Sequence, residues 1–366
     1  MRDQAAVPVI LVLAPNWLGD VVMTSPLLSR LAAARGADGR RPAVHLAVRR
    51  PWAPLFDADP RLASVVIVER EGRHAGPAGL LRLGADLRRV APWAIVVGPP
   101  SLRAGLAARL SGAAVRVGYR GEGRGPLLTA APAKPARGER HHSRELADLG
   151  DLALAACGLL PDAGGQAEAW GLLPACAAVP GPAADQGPPV WVLAPGTTYG
   201  EAKIWPLEQA RRFADVAVAE RGVRLVLLGD AAAADFAAAM RRGSPSPWRD
   251  SLAGPAGIVD LCGRTSLAAA AGLLRGAAAF VGNDSGLMHL SGALGVPTVG
   301  LFGSTNPAWT APLGRATRVL AADGFPCRPC YRRTCNQDRF CLATIDAATV
   351  LAAVDDLCGR APRGRP

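Results

Sequence analysis

Lysine is almost missing from this chain: of its 41 basic residues only Lys134 and Lys203 are lysine, and the rest are arginine. Asparagine occurs only at 16, 283, 306 and 336, and tyrosine only at 119, 199 and 331. Against so biased a background, a scarce residue type is informative where it does occur. Aromatic residues make up 5% and do not alternate with basic runs. The stacking surface of a single-strand binder is therefore lacking, and no nucleic-acid partner is expected. No apolar run approaches the ~20 residues of a membrane span. Neither G-x-G-x-x-G nor G-x-x-x-x-G-K-[ST] is present, which removes the usual dinucleotide and P-loop fingerprints. G-N-D-S-G at Gly282–Gly286 places its serine one position late for a hydrolase nucleophile elbow.

What remains is globular. The 366 residues, 50% apolar and 19% charged, are enough for two domains with full cores. A net charge of +11 suits anionic partners such as a nucleotide or an acidic glycolipid. The arginines are dispersed, so a solvated basic surface accounts for many of them equally well. The first residues resemble a signal peptide superficially, but Asp3 and Pro8 break that pattern. They read as the approach to a first strand, and a cytoplasmic location is expected.

Short β-branched runs alternate with alanine- and leucine-rich helical stretches, the pattern of parallel α/β architecture. Strands are predicted at 9–14, 43–48, 65–68, 94–97 and 114–118, with helices at 26–35 and 102–111. After a Pro- and Gly-rich linker at 174–189 the pattern restarts. Strands are predicted at 190–194, 224–228, 278–281 and 298–302, with helices at 207–221, at 266–275 and from Ser285. The expected organisation is two Rossmann-like halves, 1–180 and 181–366, the second ending in a helix. Residues 241–255 read as a loop, and the tail past Gly359 as disordered.

Three strand-to-loop junctions carry candidate chemistry. At Asn283–His289, N-D-S-G-L-M-H follows a strand and opens a helix. Asp284 or Ser285 there is an ordinary N-cap, or the helix start binds an anion through free N–H groups. His289, four residues past Ser285, shares its helix face. At Leu193–Pro206, Gly196, Thr197 and Thr198 suit close approach to a phosphate, and Lys203 adds a compact positive charge. At Ala14–Leu28, Asp20 follows Gly19 in the first βα turn. It is either a helix cap or a carboxylate that accepts a proton from an incoming hydroxyl. A fourth feature is the cysteine segment, Cys327, Cys330, Cys335 and Cys341. Its spacing leaves open a structural zinc or iron–sulfur site, or reduced thiols. Cys157, Cys176, Cys262 and Cys358 are scattered and read as packing residues.

Taken in order, N-W-L-G-D-V-V-M-T-S-P-L-L, R-V-G-Y-R-G-E-G-R-G-P-L-L-T, A-P-G-T-T-Y-G-E-A-K-I-W-P and N-D-S-G-L-M-H-L-S-G-A-L-G-V-P-T-V-G-L-F-G-S-T-N-P resemble glycosyltransferase family 9, the ADP-heptose:lipopolysaccharide heptosyltransferases. Branch II of the family is the nearer. The resemblance covers about residues 8–357 and includes the cysteine segment. It implies a GT-B fold, two Rossmann-like domains facing across a cleft, with acceptor on the first and nucleotide sugar on the second. It implies inverting, metal-independent transfer of heptose from ADP-heptose to the anionic core of lipopolysaccharide, at the inner face of the cytoplasmic membrane. No cofactor is required for that chemistry. Asp20 looks like the general base, with Lys203 stabilising the departing diphosphate. Gly196, Thr197, Thr198, Lys203, Asp284, Ser285, Gly286, Leu287 and His289 look like donor contacts, and Asn16, Gly19 and Arg120 like acceptor contacts. Arg116, Arg124, His141, His142 and Arg144 are further candidates for the anionic acceptor. One departure stands out: where branch I has a glutamate at the ribose, this chain offers Asp230 at best. Alternatives are a family member using another nucleotide sugar or glycan, an epimerase or phosphorylase of the same fold, and a non-enzymatic nucleotide-binding module.

Overall fold

A computed structural model describes residues 8–161, 187–338 and 340–359. The linker expected at 174–189 lies outside the described residues up to position 186, as does the tail past Gly359. The chain divides into two compact units, Met1–Ala175 and Cys176–Pro366.

The first unit is built on a five-stranded, wholly parallel sheet in the order β3-β2-β1-β4-β5. Its strands are β1 (Val9–Leu13), β2 (Ala43–Arg49), β3 (Ser64–Val68), β4 (Ala94–Val97) and β5 (Val115–Val117). β1 and β4 are buried almost throughout, which is why both read as continuous apolar runs and do not alternate. Helices α1 (Leu18–Val22), α2 (Ser25–Ala33), α3 (Gly76–Arg88), α4 (Leu102–Leu110) and α5 (His142–Ala156) complete the unit. One face packs Leu83 and Leu87 of α3 and Ala104, Ala107 and Ala108 of α4 against Leu11, Leu13, Ile95 and Val97.

The second unit carries seven parallel strands in the order β12-β11-β10-β6-β7-β9-β8. They are β6 (Val190–Ala194), β7 (Arg224–Leu227), β8 (Trp248–Arg249), β9 (Gly257–Asp260), β10 (Ala279–Asn283), β11 (Thr298–Phe302) and β12 (Thr317–Ala321). The helices are α6 (Leu207–Arg221), α7 (Ala234–Arg241), α8 (Leu267–Arg275), α9 (Gly286–Ala293), α10 (Pro307–Thr310) and α11 (Ala347–Leu357). Trp191, Trp205 and Phe213 centre its core, the Trp191 and Phe213 rings stacking at 6.2 Å.

Most predicted elements are present within a residue or two. The region 241–255 is a correction, because it holds a short strand. β8 pairs in parallel with Ile258 and Val259, and Trp248 packs on the core despite its Ser- and Pro-rich surroundings.

In each sheet the strand order reverses at one place. The chain runs outward from β1 through β2 to β3, then returns to the other side of β1 as β4. It runs outward from β6 to β7 and β9, then returns beside β6 as β10. Open α/β sheets bind ligands outside the strand ends at such a reversal. The loops there carry Asp20 after β1, residues 195–203 after β6, and Asn283–His289 after β10.

Candidate active site

The three elements of the second unit's site are tied together by Asn283. It is buried at the end of β10, where its Nδ2 donates to Pro195 O at 2.7 Å and its Oδ1 accepts from Trp205 N at 3.1 Å. One scarce side chain thus clamps both ends of the loop after β6 against the start of the loop after β10. An apolar residue there would leave Pro195 O and Trp205 N without these partners.

Asp284 follows and is 5% exposed. Its Oδ2 lies 2.7 Å from Lys203 Nζ and accepts from Thr305 Oγ1 at 2.8 Å and Thr310 Oγ1 at 3.5 Å. Its Oδ1 lies 3.7 Å from His289 Nε2. Burial pushes this carboxyl up, but His289 and Lys203 outweigh that effect and hold it well below the ordinary carboxylate range. It is a fixed anion and cannot serve as a base near neutral pH. Lys203 also donates to Asp284 O at 3.3 Å, and its ammonium sits 4.6 Å from the Tyr199 ring centroid. The lysine read from the sequence as a bare positive charge is therefore half of a buried ion pair, oriented by it.

The N-cap of α9 is Ser285, whose side chain makes no capping bond. Its Oγ and the Nδ1 of His289, which is 4% exposed, are both buried without a hydrogen-bond partner. Native buried polar atoms are nearly always paired, so these two on one helix hold hydrogen-bonding capacity open to a water or a ligand. Gly286 and Leu287 in the first turn are half-buried, which leaves their N–H groups near the surface.

On the loop after β6, Thr197 Oγ1 accepts from Tyr199 N at 3.3 Å, and the exposed Thr198 donates to Asp230 Oδ2 at 3.4 Å. Gly196 also has a packing reason to be small. A Cβ on it would meet Ala233 Cβ at 2.9 Å, so its smallness serves close packing against the turn at Ala231–Ala233. That packing brings Asp230 beside Thr198. Gly200 has both a left-handed φ of 149° and a Cβ position 2.5 Å from Arg333 O, so no other residue fits. Ala202 N donates to that same Arg333 O at 2.9 Å, and Tyr199 OH to Tyr331 O at 2.5 Å.

The four-cysteine segment thus holds the Lys203 loop through its backbone. Its thiols are free, with Cys341 buried and Cys327, Cys330 and Cys335 half-buried. They line one pocket with Phe325 and Phe340, and burial pushes the Cys341 thiol up. Among the described residues no three His, Cys, Asp or Glu side chains are grouped so as to hold a metal ion.

In the first unit, Asp20 is the third residue of α1. The N-cap is Trp17, which makes no side-chain bond, so Asp20 is not the helix cap. Its carboxylate is 33% exposed, with His142 Nε2 3.9 Å from Oδ1. Trp17 beside it is 59% exposed, Gly19 is buried within α1, and Asn16 O accepts from Trp52 Nε1 at 3.0 Å. Arg120 is exposed.

Three proposed acceptor contacts are corrected. Arg124 is buried, donating to Tyr119 O at 2.8 Å and to Pro99 O. Arg116 donates to Leu127 O and Ala113 O at 2.8 and 2.7 Å. His141 is the N-cap of α5, accepting from Ser143 N. The two guanidinium groups tie chain segments together, and only that of Arg124 is fully buried. Sequence reasoning missed Asn283, Thr305 and Thr310. The signal for Thr305 was its place just past β11, next to the strand of Asp284, whereas Thr310 closes α10.

The sequence profile of glycosyltransferase family 9 (heptosyltransferase) matches residues 80–340. Lipopolysaccharide heptosyltransferase 2 of Escherichia coli K12 is 30% identical over 85% of this chain and 87% of its own length. Lipooligosaccharide heptosyltransferase 2 of Haemophilus influenzae is 28% identical over 86% and 89%. The solved ADP-heptose lps heptosyltransferase II of E. coli superposes with a TM-score of 0.69 at 24% identity, over 95% of this chain and 98% of that one. With two parallel α/β units, the fold is GT-B. A profile covering most of both units and relatives matched over nearly their whole length lead to one assignment: this chain is a glycosyltransferase and belongs to glycosyltransferase family 9 (heptosyltransferase).

Proposed function

We propose that the chain transfers a heptose, with inversion, from ADP-heptose to the inner core oligosaccharide of lipopolysaccharide. The observation that carries this reading is the buried Asp284–Lys203 pair at the β6/β10 reversal, with the orphaned Ser285 Oγ and His289 Nδ1 at the start of α9. An anion at that helix start meets N–H groups, the helix dipole and an ammonium already aimed by a buried carboxylate. A nucleoside diphosphate leaving group develops that kind of charge, and stabilising it is the largest electrostatic demand of glycosyl transfer. Thr197 and Thr198 take part in diphosphate contact, and Asp230 beside Thr198 is placed for the ribose.

In this reading the first unit holds the acceptor with Asn16, Gly19 and Arg120. Asp20, one-third exposed and with no cation within hydrogen-bonding distance among the described residues, removes the acceptor hydroxyl proton as oxygen attacks the anomeric carbon. No step is routed through a metal. The acceptor is a lipid, so the enzyme works at the cytoplasmic face of the inner membrane. No helix among the described residues is long and apolar enough to cross it.

Mass spectrometry of products from a panel of ADP-, UDP- and GDP-linked heptoses and hexoses, with a deacylated core acceptor, tests the reading. Transfer from ADP-heptose with inverted anomeric configuration by NMR is expected. Turnover only with another donor would redirect the assignment within the family. Donor consumption without acceptor would favour an epimerase or hydrolase.

A further inference from the structure

We infer that His142 relays the proton away from Asp20 and is itself held by the buried Glu145, in an Asp20–His142–Glu145 array. The inference rests on Asp20 being the base. His142 opens α5 and is 12% exposed, and its Nδ1 lies 2.7 Å from Glu145 Oε2, one helical turn on. The Glu145 side chain has no exposure, and Lys134 Nζ, 3.8 Å away, supplies a counter-charge. An ionised carboxylate only accepts hydrogen bonds, so Glu145 places the imidazole proton on Nδ1 and turns the Nε2 lone pair outward. Nε2 then faces Asp20 Oδ1 at 3.9 Å. Nε2 and the ionised Asp20 carboxylate are both acceptors, so no hydrogen bond joins them at rest; once Asp20 carries the acceptor's proton it donates to Nε2 and the gap closes.

The backbone beneath the array is also fixed. Tyr119 OH donates to Glu145 O at 2.8 Å, and burial, reinforced by the carboxylates of Asp148 and Glu145, pushes that hydroxyl's ionisation well above its ordinary value, so it remains a donor. A pair serving only to pack α5 has no need to direct its second nitrogen at a half-exposed carboxylate.

The step balances as follows. The acceptor O–H bond breaks and its proton goes to Asp20, while the oxygen electron pair forms the new C1–O bond. The old C1–O bond breaks, and its electron pair leaves on the diphosphate. The proton on Asp20 passes to His142 Nε2, with Nδ1–H still on Glu145, and is then released to water. Asp20 returns to the carboxylate for the next cycle.

The test is steady-state transfer by the full chain with His142→Ala, with and without added imidazole, alongside Glu145→Gln and Asp20→Asn. We expect kcat of His142→Ala to fall about 10- to 100-fold, the scale of losing an outer partner of a functional side chain. KM for either substrate should be unchanged, and imidazole should restore part of the rate. Glu145→Gln, which keeps an acceptor but not the charge, should fall in between. If Asp20→Asn loses transfer while His142→Ala keeps the parental rate, the relay role is overturned and the base assignment stands. If His142→Ala raises acceptor KM and imidazole does nothing, His142 is an acceptor contact and the inference is overturned. If Asp20→Asn itself transfers at the parental rate, the underlying base assignment is what has failed.

Discussion

Two aspartates stand at the sheet reversals of the two units, one on each side of a reversal. Asp20 lies in α1, after β1, the strand from which the first sheet is wound, and Asp284 lies just beyond β10, the returning strand of the second sheet. They differ in everything that decides chemistry. Asp284 is buried, hydrogen-bonded to Lys203 and two threonines, and held in the ionised form. Asp20 is one-third exposed, with a single histidine at 3.9 Å. The same residue type beside a sheet reversal is thus a structural anion in one unit and, in the proposed mechanism, the proton acceptor in the other. Surroundings set the role, and the βα turn sets only the place.

The largest effect that separates them is on stability. Asp284→Ala leaves Lys203 and His289 buried without their carboxylate and should cost about 3–5 kcal/mol. Asp20→Ala should stay within about 0.5 kcal/mol, as exposed substitutions do. Denaturant unfolding of both variants measures this, and equal losses would remove the contrast. Next in size is Lys203→Met, at about 3 kcal/mol, because it leaves the Asp284 charge buried without its cation. Combined with Asp284→Leu it should cost clearly less than the sum, since the double variant leaves neither charge stranded. Additive losses would show that the pair is not coupled. This also means that weakened ADP binding in Lys203→Met must be read beside its stability.

Acid response sharpens the same contrast. The Asp284 carboxyl titrates below its ordinary value, so its stabilising contribution is complete above a pH of about 4 and is lost as pH falls through its native value. Melting temperatures of the parent should therefore drop more steeply below about pH 4 than those of Asp284→Asn. Parallel curves would contradict the depressed ionisation. The smallest expected effect lies in the cysteine segment. Cys330→Ser should leave transfer unchanged and stability within about 0.5 kcal/mol, because the segment positions the Lys203 loop through the carbonyls of Tyr331 and Arg333. Loss of transfer in a folded Cys330→Ser would bring the thiols into the chemistry.

How much was legible in the sequence divides along sequence separation. The apolar runs of β1, β4, β6 and β11 announce themselves because both faces of each strand are covered. The three candidate loops were found because scarce residues stand at strand ends. The roles of Asn283 and Thr305 were not legible, since each acts on a residue far along the chain: Asn283 on Pro195 and Thr305 on Asp284. Arg116 and Arg124 misled for the same reason, as their carbonyl partners are fixed by tertiary packing and an arginine by itself reads as surface. The close packing of Gly196 against Ala233 was likewise not legible, because Ala233 lies far along the chain.

The most direct test of the account is Asp20→Asn, assayed for transfer and for ADP-sugar affinity on the same preparation. Asparagine keeps the size and most of the hydrogen bonding but accepts no proton. Transfer should fall by about 10²–10⁴-fold, the usual contribution of a general base, with donor affinity and melting temperature nearly unchanged. A folded Asp20→Asn variant that binds ADP-sugar and transfers at close to the parental rate would contradict the division of roles between the two aspartates.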